Sequence, residues 1–359
     1  YMANFSSPSS QYDKIMRLLK EGERDKRKVC FHMASWEASP LITRKSLSSE
    51  ELNDPVKFWR DFGAVPPLAN NPFIESESAI KSTQSATKPV INWRPKYVQD
   101  KVNPDMRYIA AELVGNVKDR LTPRLIAVDG GERQNSFAIG IFRMEPKPDG
   151  GFQIIQDAII EAKPEKIERT NEVIPVHFPT MFDLVLKLSD KYKGLNVLAV
   201  VYDRWQSTGE VQRLREMKVK AERYSPKESD FKILRNMVYS GDFKTPKWEH
   251  KELSDLDISN VAEVRKAPYT HQAIQFATVR SVGKKIVKPE VGEDDLFRVC
   301  VLGAHYLIDN QKDFISKNFG ASKDRGSIGT VAMKTSNSTY FGARSKTNIG
   351  SVRGKYKKF

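Results

Sequence analysis

At 359 residues, 39% of them hydrophobic and 29% charged, the chain has the apolar content for one large or two packed domains, and no disorder class fits the whole. A formal charge of +14 points to a polyanionic partner, nucleic acid first and membrane headgroups second, because clustered Lys and Arg displace the counterions of a phosphate backbone. No apolar run reaches the roughly 20 residues of a spanning helix and no signal-peptide pattern opens the chain, so a soluble intracellular protein is expected.

The chain begins Tyr1-Met2 rather than at an initiator methionine, which points to a fragment, a processed product or a tagged form. Apolar residues at helical spacing predict a helix over residues 12–20, and Lys28-Val-Cys-Phe-His-Met33 reads as a strand. A short helix is expected over residues 54–62, ended by Gly63 and Pro66-Pro67, and the Ser-, Thr- and Asn-bearing stretch 70–89 reads as a linker. Cys30 and Cys300, the only cysteines, each lie in an apolar segment, which suits reduced core residues better than a disulfide or a zinc site.

The informative pattern begins at Leu125-Ile-Ala-Val-Asp129-Gly-Gly, where an apolar strand runs into a carboxylate at its end. Ser136 to Met144 and Gly151 to Ile160 are the next two strands, and the turn between them makes an antiparallel meander. An amphipathic helix opens at Pro179 and covers residues 181–192; Val197-Leu-Ala-Val-Val-Tyr202 is a fourth strand that stops at Asp203. A helix over 207–217, a fifth strand over 219–223 and a helix from a capping box at Ser225-Pro-Lys-Glu228 to about Val238 follow. A looser charged segment leads to Glu290, and then a strong helix covers residues 293–307, its acidic start suited to the helix dipole. Beyond Gln311 the spacing dissolves, and eleven basic residues against two acids put +9 of the charge into a tail that reads as a solvated, mobile arm able to contact nucleic acid.

This order of elements is that of a ribonuclease H-like fold, a mixed five-stranded sheet flanked by helices. In that topology the first and fourth strands lie side by side and parallel, so Asp129 and Asp203 meet at one sheet edge, with Asp294 and Asp295 brought near by the last helix. Carboxylates converging in this way repel one another unless divalent cations neutralise them, and oxygen ligands suit Mg²⁺ or Mn²⁺. Two such ions would serve phosphodiester hydrolysis. Taken singly, each acid is also an ordinary turn, strand-end or helix-start residue; only their joint placement points to metal.

Val128-Asp129-Gly-Gly, Val201-Tyr-Asp203-Arg-Trp205-Gln-Ser207 and Gly292-Glu-Asp-Asp-Leu-Phe297 resemble the carboxyl-terminal part of bacteriophage terminase large subunits, over roughly residues 126–308. The resemblance implies a nuclease that cuts concatemeric double-stranded DNA during genome packaging, with Asp129, Asp203 and Asp294 as catalytic metal ligands and Asp295 beside them. Phe5-Ser-Ser-Pro8, Ser35-Trp-Glu-Ala-Ser-Pro40 and Phe58-Trp-Arg-Asp-Phe-Gly-Ala64 are similar to the end of the family's ATPase domain. The implied division is the end of an ATPase domain over 1–75, a linker over 76–118, the nuclease domain over 119–310 and a basic tail over 311–359. No Gly-x-x-x-x-Gly-Lys-Ser/Thr phosphate loop occurs in the sequence, so this chain alone is not expected to hydrolyse ATP. The implied partners are DNA, a portal ring, a small terminase subunit and an ATPase-bearing chain, in the cytoplasm of an infected host.

Arg204 could meet the scissile phosphate or be solvated. Lys284, Lys285 and Lys288, and in the tail Arg344, Lys346, Arg353 and Lys355, are expected to contact the DNA backbone. His177, His305 and Trp205 read as structural. Two other readings stay open: a non-catalytic DNA-binding or portal-docking module, and another ribonuclease H-like enzyme such as a junction resolvase or transposase.

Overall fold

The computed structural model describes residues 10–320, apart from residues 26, 54, 70, 101, 132–134, 149, 168–169, 205–206 and 284. In chain order its helices and strands are α1 (Lys14–Arg24), α2 (Ser35–Ala38), α3 (Ser48–Asn53), α4 (Pro55–Asp61), α5 (Glu77–Ser82), β1 (Asn92–Gln99), β2 (Arg107–Val114), β3 (Arg124–Asp129), β4 (Phe137–Pro146), β5 (Phe152–Ala162), β6 (Glu165–Lys166), β7 (Val173–Ile174), α6 (Phe178–Leu188), β8 (Val197–Asp203), α7 (Thr208–Glu216), β9 (Ala221–Tyr224), α8 (Glu228–Ser240), β10 (Phe243–Lys244), α9 (Val261–Val264), α10 (Pro268–Thr278), β11 (Arg280–Val282), β12 (Lys285–Val287), α11 (Asp295–Asp309) and α12 (Gln311–Gly320). Among the described residues no helix is long and apolar enough to cross a membrane.

The central sheet is mixed, in the order β10-β5-β4-β3-β8-β9. β3, β4 and β5 form the expected antiparallel meander, and β8 lies beside β3 and parallel to it, with β9 parallel on its outer side. The sheet has six strands instead of the expected five, because Phe243–Lys244 adds a parallel pairing to β5. Two residues carry no periodicity, so that strand had no signal of its own.

Strand alternation divides the core into two layers. Leu125, Ala127, Ala138, Phe142, Ala199 and Val201 face a layer built with α8, α10 and α11. Ile126, Val128, Ile139, Ile141, Val200 and Tyr202 face the opposite layer, built with β2, α6 and α7. Both faces of β3 are therefore covered, which is why it reads as an unbroken apolar run. Parity then fixes the acids: Asp129 continues the 125/127 side and Asp203 the 199/201 side, so both sit on the α11 face of the sheet. The helix approaches closely because Gly303 leaves room for Phe142; a Cβ there would lie 2.6 Å from that ring.

Several expectations change. Lys28–Met33 forms no strand, and Val29 and Phe31 stay 81% and 78% exposed, so their alternation has no sheet to serve. Cys30 is exposed and only Cys300 is a core thiol. The stretch 70–89, expected as a linker, holds α5, and its Phe73, Ile74 and Ile80 are buried in the same layer as α11; the β1–β2 hairpin lies within the 76–118 segment. The α8 N-cap lies two residues beyond the expected Ser225: Lys227 is the N-cap, and the Asp230 carboxylate accepts its N–H. The charged segment before Glu290 contains α10, every residue of which is buried. α12 carries helix beyond Gln311, with Phe314 buried in the core. Trp205, Lys284 and the tail residues Arg344, Lys346, Arg353 and Lys355 lie outside the described residues.

Candidate active site

β3 and β8 end at the same level, since Val128 pairs with Tyr202 across the parallel ladder and one residue more on each strand is a carboxylate. Asp129 and Asp203 are both buried at this edge. α11 packs across β3 and β4 and brings its first turn to the same place, with Asp295 as its first residue and Asp294 as its N-cap. An N-cap aspartate ordinarily accepts an N–H of the first turn. Asp294 does not; its Oδ2 instead takes the Nε–H of Arg298, one turn along the same helix, at 2.8 Å.

The charges make this an expensive arrangement. Burial first, and then the charge of Asp203, push the Asp129 carboxyl up to about 7. Asp203 is also raised by burial, against the Arg204 N–H that donates to its Oδ1 and against the Arg298 charge. Asp295 is raised well above the usual carboxylate range by burial, then by Asp129 and Glu293. Burial opposes the Arg298 charge, yet Asp294, Asp129 and Asp203 together hold it more firmly protonated than a free arginine. One guanidinium is thus set against a group of four acids.

A second shell of polar groups fixes the first. The Ser136 N–H donates to Asp295 Oδ2 at 2.8 Å, and the Ser136 hydroxyl lies 2.9 Å from Glu161 Oε1 and 2.5 Å from Glu293 Oε2. One hydroxyl proton cannot serve two carboxylates. Other groups make up the difference, with Lys163 Nζ 3.6 Å from Glu293 and His271 Nδ1 2.9 Å from Glu161 Oε2. Burial works to raise Glu161, but His271, Lys163 and Ser136 outweigh it and hold its carboxyl low. The loop that carries Ser136 depends on Gly131, where a Cβ would fall 2.4 Å from the Asn135 carbonyl oxygen. Neither Gly130 nor Gly131 has a positive φ, so close backbone approach is what this pair provides.

The structure therefore brings together Asp129, Asp203, Asp294 and Asp295. Arg204 is exposed beside them. Lys285 and Lys288 are exposed on and just after β12, and among the described residues neither forms an ion pair with the four acids. His177 ends the segment before α6, its Nδ1 2.7 Å from the Thr180 hydroxyl, and His305 stacks on Tyr224. Sequence reasoning missed Arg298, Ser136, Glu161, Glu293 and His271. Two had a readable signal: Arg298 is four residues after Asp294, and Glu161 ends an apolar run as Asp129 does.

Among the described residues no group of three or more His, Cys, Asp or Glu side chains is placed to hold one ion as it stands. The donor set nevertheless fits a hard divalent cation, because its first-turn and strand-end ligands are carboxylates alone, buried and mutually repelling.

No family model matches the chain, and no curated protein matches it. Among solved structures it is similar to the large terminase nuclease from thermophilic phage G20c, at 14% identity and a TM-score of 0.36, over 64% of this chain and 96% of that one. It is similar to the HK97 bacteriophage large terminase at 11% identity and a TM-score of 0.37, over 83% of this chain, and spans 61% of that protein's length. Thermus thermophilus RuvC aligns at 10% identity and a TM-score of 0.25, over 53% of this chain and 97% of that one. Likenesses this shallow carry no residue assignment, and the reading of the site rests on its own chemistry.

Proposed function

We propose that the protein is a metal-dependent DNA endonuclease of ribonuclease H-like fold, the nuclease-bearing part of a phage terminase large subunit that cuts concatemeric double-stranded DNA in the infected host. One observation carries the reading: two buried carboxylates at the ends of adjacent parallel strands meet two more at the start of the helix that covers them. Asp129, Asp203 and Asp294 would hold the cations, Mg²⁺ or Mn²⁺, with Asp295 supporting them. Bound there, such ions would favour ionisation of the attacking water and neutralise charge developing on the phosphate and the leaving oxygen. The chain's own part is positioning. α11 presents its acids from a rigid helix, Ser136 holds Asp295, and the Arg204 N–H orients Asp203. DNA backbone contacts are assigned to Arg204, Lys284, Lys285, Lys288 and the basic tail, and the portal ring, small subunit and an ATPase-bearing chain are the assembly partners of this reading.

Supercoiled plasmid incubated with Mn²⁺ should be nicked by the wild type and not by Asp129→Ala or Asp203→Asn. Nicking that is absent, or untouched by these substitutions, overturns the proposal. The Arg298–Asp294 ion pair favours one other reading, a non-catalytic DNA-binding or portal-docking module in which an arginine permanently balances the acids. That reading predicts salt-dependent DNA binding without any metal-dependent cleavage.

A further inference from the structure

Arg298 is a cation in the acid centre that a nuclease reading does not require. It lies on α11 one turn from Asp294, pairs with it at 2.8 Å, and its side chain is still 35% exposed. Its position is not that of a surface ion pair, since Asp294 is buried and the two strand-end carboxylates act on the same guanidinium. Asp294 has also given up the helix-capping bond its position offers, so its carboxylate is directed to Arg298. Arg298 is thus the cation that faces this acid group, and it does so through Asp294.

We infer that Arg298 is the resident counter-ion of the acid centre, and that a divalent cation enters by displacing its guanidinium from Asp294 toward solvent. The inference rests on the proposed metal-dependent reading and adds to it a positioning residue that sets cation affinity. The exchange breaks no covalent bond, and it puts two positive charges at the acids in place of one. Arg298 has somewhere to go, because the side chain already reaches solvent and rotation about its long stem moves the guanidinium off Asp294 without disturbing α11. The cation that takes Asp294 must then displace that one ion pair, which weakens its binding relative to the same acids without Arg298.

The test uses the full chain and Mn²⁺ itself, with bound ion counted from the loss of the free Mn²⁺ electron paramagnetic signal. Wild type should bind Mn²⁺, and Asp129→Asn should lose that binding. Arg298→Gln should bind Mn²⁺ roughly three- to tenfold more tightly, the range expected for removing one competing, partly exposed ion pair. Thermal unfolding gives a readout that a purely structural arginine would not produce. In chelator Arg298→Gln should melt below wild type, because its acids have lost their counter-ion, and in saturating Mn²⁺ the deficit should close. Arg298→Lys, which keeps the charge but not the fork, should lie between the two in affinity. If wild type and Arg298→Gln bind alike, or if the melting deficit persists in Mn²⁺, the inference is overturned while the nuclease reading stands. If wild type shows no Asp129-dependent uptake, that reading falls and this one with it.

Discussion

Asp129→Asn should abolish Mn²⁺-dependent nicking and, in chelator at pH 8, make the protein more stable than the wild type. The substitution keeps the shape of the side chain and removes one charge from a buried group of like charges. With the carboxyl pushed from the usual 3.8 to about 7, the native state binds a proton that the unfolded chain has already released between those two values. Stability therefore falls as pH rises from about 4 to about 7, and the whole loss is present above the folded pKa. A shift of this size corresponds to a ceiling of about 4 kcal/mol. Relaxation of Arg298 and sharing of the proton with Asp203 and Asp295 reduce it, and a gain of about 1–3 kcal/mol for the variant is the expected range. For a chain of this size that is a rise of a few degrees in melting temperature, about 2–4 °C per kcal/mol. Fluorimetric melts in chelator at pH 4, 5.5 and 8 would show the two proteins close together at the lowest pH, about half-way apart at pH 5.5 and fully separated at pH 8. A variant that melts lower at pH 8, or a difference that does not change with pH, would refute the electrostatic reasoning. Added Mn²⁺ should reverse the order, since only the wild type keeps the full ligand set.

Three further outcomes follow from the same site and its supports. His271→Ala removes the partner of a buried carboxylate, and should cost about 3 kcal/mol in urea unfolding; a loss below about 1 kcal/mol would mean Glu161 does not depend on it. Gly131→Ala puts a methyl group against the Asn135 carbonyl, so the loop must shift, at about 1–3 kcal/mol, and nicking should fall because Ser136 no longer holds Asp295; unaltered kcat would remove Ser136 from the positioning role. Thiol titration should find one reactive cysteine in the native protein and two after denaturation, because Cys30 is exposed whereas burial pushes the Cys300 thiol far up; prompt reaction of both would contradict the packing of α11.

The fold was legible where burial acts on one residue at a time. β3, β4, β5 and β8 are sandwiched between two layers, so apolar residues fill both sides and the runs stand out. β10 and α10 were not legible, for opposite reasons. β10 is two residues long and exists because the chain leaving α8 happens to pass β5. α10 carries Thr270, His271, Gln272, Gln275 and Thr278 at buried positions, and their polarity hid the helix. Each has an interior partner: Thr270 receives two backbone N–H groups, His271 meets Glu161, Gln272 meets the Cys300 sulfur, and Gln275 accepts the Phe297 N–H. Gln272 Oε1 and Gln275 Nε2 stay unpaired, but a helix buried on every side, polar residues included, has no amphipathic stripe to read.

The candidate site divides along the same line. A carboxylate that terminates an apolar run is visible because the transition in polarity is local, so Asp129, Asp203 and Asp294-Asp295 could be found and then joined by topology. Their supports are harder to read, since Ser136 precedes β4, Glu161 lies in β5 and His271 in α10 and they share no spacing; of the three only Glu161, which ends an apolar run, has a local signal. Yet these supports decide what the acids can do. Four buried carboxylates destabilise the fold unless something holds them, and the polar contacts from Ser136, β5 and α10, with Arg298 from within α11, supply the resistance. A sequence could keep all four acids and lose cation binding by changing Arg298's surroundings, or lose the acids and gain stability. The acids alone therefore mark where chemistry can occur, and on the proposed reading the arginine that pairs with Asp294 sets how tightly a cation binds while Ser136 holds Asp295 in place.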